Sequence, residues 1–155
     1  MKINTKIRYG LRVMIELGLH EDKHIRSGLL QKDIAKNQKL SEKYLDPIIS
    51  SLKVSGLISN ANGKKSGYIL KKAKKEITVY DIYRSFEPES SMIHCMNKPV
   101  TCFVSRICVA NEFWMGLDEN IAKYLKKTTL HDIIKKHKKI LDNIEKSNNL
   151  ISVCI

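Results

Sequence analysis

Three cysteines lie close together in the second half of the chain, at Cys95, Cys102 and Cys108. Six and then five residues separate them, and Pro99 lies in the first gap, so the segment is predicted to be a loop. Anionic sulfur is the ligand that protein-bound iron–sulfur clusters require. Three thiolates that can converge from one loop therefore predict a cluster site within residues 87–109.

Three thiolates leave one coordination position for a weaker ligand, for which His94, Asn111 and Glu112 are candidates. Cys154 is expected to stand apart in a terminal tail. Zinc bound by the three cysteines and His94 is an alternative, although the spacings are wider than the tight pairs of zinc fingers. The same cysteines would also fit a thiol switch or inert thiols. A thiol oxidoreductase is not indicated because the chain has no Cys-x-x-Cys motif, and no enzyme is predicted.

The charge of the chain is uneven and points to a polyanionic partner. The formal net charge is +12, and residues 1–80 hold 17 Lys and Arg against 7 Asp and Glu, whereas residues 81–155 hold 11 against 9. A concentrated positive field attracts nucleic acid, although a lysine-rich solvated surface would look similar. No apolar run reaches membrane-spanning length and the first residues do not resemble a signal peptide, so a cytoplasmic protein is expected.

Helical periodicity in the first half predicts a helix-turn-helix. Apolar spacing indicates helices over about 5–19 and 29–37, followed by a helix that Ser41 caps and that ends near Ser55. The second helix of such a pair enters the major groove, which would expose Ser41, Glu42, Lys43 and Tyr44 to DNA. Pro47 is expected to loosen this helix. The predicted inward residues are Leu45, Ile48, Ile49, Leu52 and Val54.

A β-hairpin is predicted directly after this helix pair. Two short apolar runs, 57–60 and 68–70, flank a basic, glycine-containing loop, which is typical of the wing of a winged helix. Lys64 and Lys65 would reach a minor groove or its phosphates. A helix pair alone is common in proteins that do not contact DNA, but the pair, the wing and the charge together favour DNA binding.

The second half is predicted to be helical outside the cysteine loop. A short helix over 77–86 precedes the loop, and a long helix over about 103–127 follows it. An apolar stripe on a helix that projects from a small domain favours self-association, so the long helix is predicted to dimerise. The residues assigned to that interface are Ile107, Trp114, Leu117, Ile121 and Leu125. Thr129 and Asp132 form a capping-box pattern that begins a last helix.

The predicted fold class is mainly α with a small β-hairpin: a winged helix-turn-helix domain plus a long dimerisation helix. The predicted organisation is a DNA-binding domain at 1–86, a cysteine loop at 87–109, a dimerisation helix at 103–127, a C-terminal helix at 128–147 and a tail at 148–155.

Motifs along most of the chain resemble bacterial winged-helix transcription regulators of the IscR/NsrR/CymR type. The matching residues include Arg8-Tyr9-Gly10-Leu11, Asp33-Ile34-Ala35, Leu40 to Leu45, Gly67 to Leu70, Ile77 to Ile82, the three cysteines, Trp114 and Thr129-Leu130. The resemblance implies a homodimeric regulator, such as a repressor, that reads a pseudo-palindromic operator. It also implies cluster ligation by the three cysteines, and [2Fe–2S] is favoured over [4Fe–4S]. Lys2, Arg8 and Asn62 are further candidates for DNA contact, and Arg12 could also meet phosphate from the first helix.

The chain departs from the pattern of these regulators at four places. Asn62 and Ser66 stand where the wing usually has Arg and Gly, and Asn111 stands where the assembly regulator has a histidine ligand. Arg8 stands where the nitric-oxide sensor has a carboxylate, and the first cysteine gap is one residue longer than usual. The signal could therefore be iron–sulfur status, nitric oxide or redox state. An alternative is a cluster-independent regulator controlled by thiol oxidation or, as in the cysteine-metabolism repressor, by a protein partner.

Overall fold

The computed structural model of the chain describes residues 4–23, 27–62, 66–88 and 107–152, with side chains as far as Lys146. It is mainly helical with a two-stranded antiparallel sheet, as predicted. The described elements, in chain order, are α1 (Thr5–Glu21), α2 (Gln31–Gln38), α3 (Glu42–Val54), β1 (Ile58–Asn60), β2 (Tyr68–Leu70), α4 (Val79–Arg84), α5 (Val109–Lys127) and α6 (Leu130–Ser152).

Local signals explain where the first helices begin and turn. The Asn4 side chain accepts a hydrogen bond from the Lys6 amide at 2.9 Å, which caps α1. Lys39, between α2 and α3, has a left-handed backbone with φ of 55° and supplies the sharp turn of the helix pair. Ser41 then caps α3 by accepting from the Tyr44 amide at 3.2 Å. The predicted helix-turn-helix is confirmed.

The predicted hairpin is also confirmed, and a third segment joins it. Ile58 pairs with Leu70 and Asn60 with Tyr68 in the antiparallel register. Tyr68 also exchanges both backbone hydrogen bonds with Leu29, at 2.8 and 3.0 Å, so the segment before α2 lies along β2. Gly67 is required there, because a Cβ on it would lie 2.2 Å from the carbonyl carbon of Leu29.

The core lies between α1, α3, the hairpin and the start of α6. Its buried apolar residues include Val13, Met14, Ile34, Leu45, Ile48, Leu52, Ile77, Ile82, Leu130 and Ile134. The Leu130 amide donates to Ile77 O at 2.8 Å, and the Val79 amide donates to Thr128 O at 2.9 Å. These two bonds return the chain from α5 to the DNA-binding domain, and the predicted Thr129–Asp132 capping box starts α6 there.

Helix α3 continues through Pro47, as predicted. Three sequence expectations differ from the structure. Val54 is 87% exposed rather than inward, because it is the last residue of α3 and the chain turns away at Gly56. The long helix begins at Val109 rather than near position 103, with Ile107 and Cys108 before its first turn. Helix α6 runs to Ser152 and takes in part of the predicted tail, since no Gly or Pro interrupts residues 130–152.

Candidate functional site

The first turn of α3 presents the predicted DNA-reading residues to solvent. Ser41, Glu42, Lys43 and Tyr44 are all exposed. The Tyr44 ring packs edge-to-face on Tyr9 of α1 with a centroid distance of 5.8 Å. This contact fixes the start of the recognition helix against α1.

A basic side chain of α1 lies beside this pair of rings. The Arg12 guanidinium stands 5.4 Å from the centroid of the Tyr9 ring, whose other neighbour is Tyr44. Arg8 is exposed one position before Tyr9. A delocalised cation stacked on an aromatic ring keeps its outward N–H groups free for phosphate. The sequence already indicated that Arg8 and Arg12 could meet phosphate, and the contact with Tyr9 shows where the Arg12 side chain lies.

The structure describes both strands of the wing but not residues 63–65 of its loop. Asn62 is exposed two residues after β1, as expected for a residue that enters the basic loop. Lys2, Lys64 and Lys65 lie outside the described residues, so their assignment to DNA stays a prediction. The Lys53 ammonium stands 5.8 Å from the centroid of the Tyr68 ring, which adds a positive charge between α3 and the wing.

Gln31 connects the wing to the recognition helix and was missed by sequence reasoning. The Tyr68 hydroxyl donates to Gln31 Oε1 at 3.1 Å. Gln31 Nε2 donates to the Glu42 carbonyl at 3.4 Å and to the Asp46 carboxylate. These partners are 11 to 37 positions away in the sequence, and no local pattern brings them together.

Cys108 occupies the N-cap position of α5, and its side chain makes no capping hydrogen bond. The free amides of a helix N-terminus favour negative charge, so a thiolate ligand of an anionic cluster fits this position. Cys95, Cys102 and His94 lie outside the described residues. Within the described ranges, no three potential metal-ligating side chains converge.

An open surface cavity of about 660 Å³ adjoins Cys108, and Asn111 and Glu112 also line it. Asn111 is held locally, because its backbone amide donates to Cys108 O at 3.0 Å and its side-chain amide faces Met115 Sδ at 3.7 Å. Glu112 is exposed in the first turn. Two of the three candidates for the fourth ligand therefore line the same cavity as Cys108.

Helix α5 presents two apolar faces. Of the predicted dimerisation residues, Ile107 is 80% exposed, Trp114 and Leu117 are 41% and 39% exposed, and Ile121 and Leu125 are half-buried. A second set, outside the residues assigned to the interface, is also exposed: Val109 at 86%, Phe113 at 67% and Tyr124 at 73%. At 3.6 residues per turn, this second set lies about a quarter turn around the helix from the stripe through Leu117 and Leu125.

The more buried side of α5 packs against α4. Lys126 stands 4.6 Å from the centroid of the Tyr80 ring. Burial raises the pKa of Tyr83, and the carboxylates of Glu87 and Asp118 raise it further. Helix α5 is thus anchored on the DNA-binding domain along α4.

An ion-pair network fixes α6 to the end of α1. The Asp22 carboxylate accepts from Lys138 of α6 at 2.8 Å and from Lys74 in the turn after the hairpin. Lys74 also lies 3.3 Å from the Glu21 carboxylate. Hydrogen bonds from Lys138 and then Lys74 lower the pKa of Asp22.

Comparisons with known proteins all match the chain to transcriptional regulators. A family model described as "Rrf2: Iron-dependent Transcriptional regulator" matches residues 3–136. The regulator CymR of Bacillus subtilis is 35% identical over 133 residues, which cover 86% of this chain and 89% of that protein. A solved structure of T. potens IscR superposes with a TM-score of 0.71 at 28% identity and covers 90% of each chain. The B. subtilis CymR structure, described as the global cysteine regulator, gives 0.68 at 32% identity over 88% and 98% of the two chains. None of the described helices is both long and apolar enough to cross a bilayer.

Proposed function

We propose that this chain, which belongs to the Rrf2 family of DNA-binding transcriptional regulators, acts as a homodimer. We further propose that it senses its signal through an iron–sulfur cluster. The observation that carries the proposal is the position of Cys108. This cysteine occupies the N-cap position of the helix that connects the cysteine loop to the DNA-binding domain.

DNA recognition would use the exposed first turn of α3 in the major groove. Lys43 and Tyr44 would face base edges or phosphates, and Arg8 and Arg12 of α1 would contact the backbone. Asn62 and the basic loop after it would contact the adjacent minor groove. In a homodimer, two such units would read two half-sites about one helical turn apart.

The cluster would be held by Cys95, Cys102 and Cys108, with Asn111 or Glu112 placed near the remaining coordination position. When bound, it would supply a redox-sensitive and oxygen-sensitive link between the thiolates. Cys108 would contribute a sulfur at the positive end of α5. His94 is the third candidate for the fourth ligand, and a [2Fe–2S] cluster is the type we favour.

A change at the cysteine loop would reach the DNA-binding domain through α5. This helix begins directly after Cys108 and packs along α4. At its far end, Thr128 O accepts from Val79 of α4, and Leu130 is buried in the core. Ordering or releasing the loop would thus bias how two copies of α5 pair, and with them the spacing of two recognition helices.

The test begins with anaerobic purification, a visible spectrum, and iron and sulfide quantification per chain. Cys95→Ala, Cys102→Ala and Cys108→Ala are each expected to lose iron and sulfide, whereas the matched control Cys154→Ala should retain both. Binding is then measured on a duplex that the wild-type protein selects from a randomised library. Equal affinity for that duplex in the wild type and all three variants, with and without cluster, would overturn the sensor role.

A cluster-independent regulator of the same fold is the second candidate. It is favoured by the higher sequence identity of this chain to CymR than to IscR. Over the structural superpositions the chain is 32% identical to CymR of B. subtilis and 28% identical to T. potens IscR. Under this candidate, thiol oxidation or a protein partner would set DNA affinity. Colourless protein after anaerobic reconstitution, together with operator affinity that falls when the thiols are oxidised, would support it over the cluster.

A further inference from the structure

We propose that Gln31 is a positioning residue for DNA recognition, which holds the wing and the recognition helix in one fixed geometry. The inference rests on the DNA-binding role proposed above and assigns a task to a residue that does not itself face DNA. Gln31 is the first residue of α2, and it is half-buried between the two DNA-contacting elements.

On the wing side, Gln31 holds a tyrosine that is already fixed by its backbone. Tyr68 exchanges two backbone hydrogen bonds with Leu29, two residues before Gln31. Its hydroxyl then donates to Gln31 Oε1 at 3.1 Å. The strand that leads out of the basic loop is therefore connected to α2 by both main chain and side chain.

On the helix side, Gln31 reaches two points of α3 that are one turn apart. Its Nε2 donates to the carbonyl of Glu42, at 3.4 Å, and to the carboxylate of Asp46. Lys43 and Tyr44, which the site exposes to DNA, lie between these two points. The amide therefore fixes the turn that carries the recognition residues.

A side-chain amide suits this position, because its oxygen accepts hydrogen bonds and its nitrogen can donate two. A glutamate at position 31 could accept from Tyr68 but could not donate, and it would place a second carboxylate beside Asp46. A methionine of similar length would fill the space and make neither bond. The opposed polarities of Tyr68 and Asp46 also fix which way the amide is oriented.

A fixed angle between wing and helix has a direct consequence for specificity. The recognition helix enters the major groove while the wing meets the neighbouring minor groove, so both contacts form together only if their separation matches the duplex. Holding them in place beforehand removes the ordering cost of binding. Loss of Gln31 should therefore weaken binding to the selected duplex more than binding to a scrambled one, since nonspecific contacts depend mainly on charge.

The experiment compares affinities for the selected and the scrambled duplex. Gln31→Glu is expected to lose about tenfold or more on the selected duplex, as a hydrogen bond to a charged group is replaced by repulsion. On the scrambled duplex it should lose less than about threefold, because the only change felt there is one added negative charge. Gln31→Met should fall between the wild type and Gln31→Glu.

A reciprocal swap separates positioning from a general loss of stability. In the double variant Gln31→Glu with Asp46→Asn, the new carboxylate accepts from the Tyr68 hydroxyl and from the Asn amide, at the same total charge. We expect the double variant to recover at least half of the lost affinity for the selected duplex, measured on a logarithmic scale. Asp46→Asn alone is measured as well, which completes the double-mutant cycle. The matched control is Gln38→Met at the other end of α2, where Gln38 Nε2 donates to Glu16 of α1 at 2.5 Å.

The outcomes distinguish this inference from the DNA-binding role. If the wild type enriches no duplex, both fail. If it enriches one, but Gln31→Glu lowers both affinities equally, or the double variant binds no better than Gln31→Glu, the positioning role is overturned and DNA binding stands. The positioning role is supported if Gln38→Met lowers the melting temperature but keeps the ratio of selected to scrambled affinity. It is overturned if Gln38→Met reduces that ratio as much as Gln31→Glu does.

Discussion

Phe113 offers the strongest single test of how two copies of the chain associate. It lies on the exposed face of α5 with Val109 and Tyr124, and 67% of its surface is accessible. An aromatic side chain can bury about 150–250 Å², so roughly two-thirds of that, about 100–170 Å², is still available to a partner. At about 25 cal/mol per Å², covering it contributes roughly 2.5–4 kcal/mol from each copy.

Phe113→Ala should therefore weaken a dimer in which this face is covered. A two-fold interface contains the change twice. Even if only half of the available surface is covered, the loss is about 2.5–4 kcal/mol per dimer, and the dissociation constant rises roughly 60- to 700-fold. Sedimentation equilibrium over a range of concentrations measures this constant directly, and circular dichroism checks that the helices remain.

The matched control is Ile140→Ala on α6, where the side chain is 58% exposed. We expect this variant to keep the wild-type dissociation constant, because the predicted interface is on α5. Wild-type behaviour of Phe113→Ala would refute the assignment of this face, and selective dissociation of Ile140→Ala would move the interface to α6.

Three further predictions concern stability. Gly67→Ala should lower the melting temperature and abolish DNA binding, because its Cβ would lie 2.2 Å from the Leu29 carbonyl carbon and neither backbone can yield cheaply. Leu130→Ala should reduce the free energy of unfolding by about 2–5 kcal/mol in denaturant titration, since the side chain is fully buried. Hydrogen bonds from Lys138 and then Lys74 lower the pKa of Asp22, so its stabilisation is present above the unfolded value of about 3.9 and is lost as pH falls through the lower folded value. Asp22→Asn should flatten the pH dependence of stability in that acidic window, and an unchanged acid-unfolding curve would contradict the ion-pair network.

The winged helix was predictable because its signals are local. Ser41 precedes an apolar period, and a glycine-containing loop joins two short apolar runs; each signal acts over a few residues. Val54 was assigned wrongly because the same period continues to the last residue of a helix, where no neighbour is left to cover it. The bridge from Leu29 to Tyr68 and the bonds of Gln31 join residues that are far apart in the chain, and pattern analysis has no access to them.

The dimerisation helix shows a different limit. Helix α5 carries apolar residues on two adjacent faces, and hydropathy alone cannot tell which face a chain uses for its own domain. The sequence favoured the stripe through Leu117, Ile121 and Leu125, whose last two residues are half-buried, while Phe113 and Tyr124 stay open. If the open face pairs with a second copy, each α5 is held on one side by its own α4 and on the other by its partner. A rigid helix held in this way, with Cys108 at one end and the core residue Leu130 just beyond the other, would carry a change in the cysteine loop to both recognition helices together.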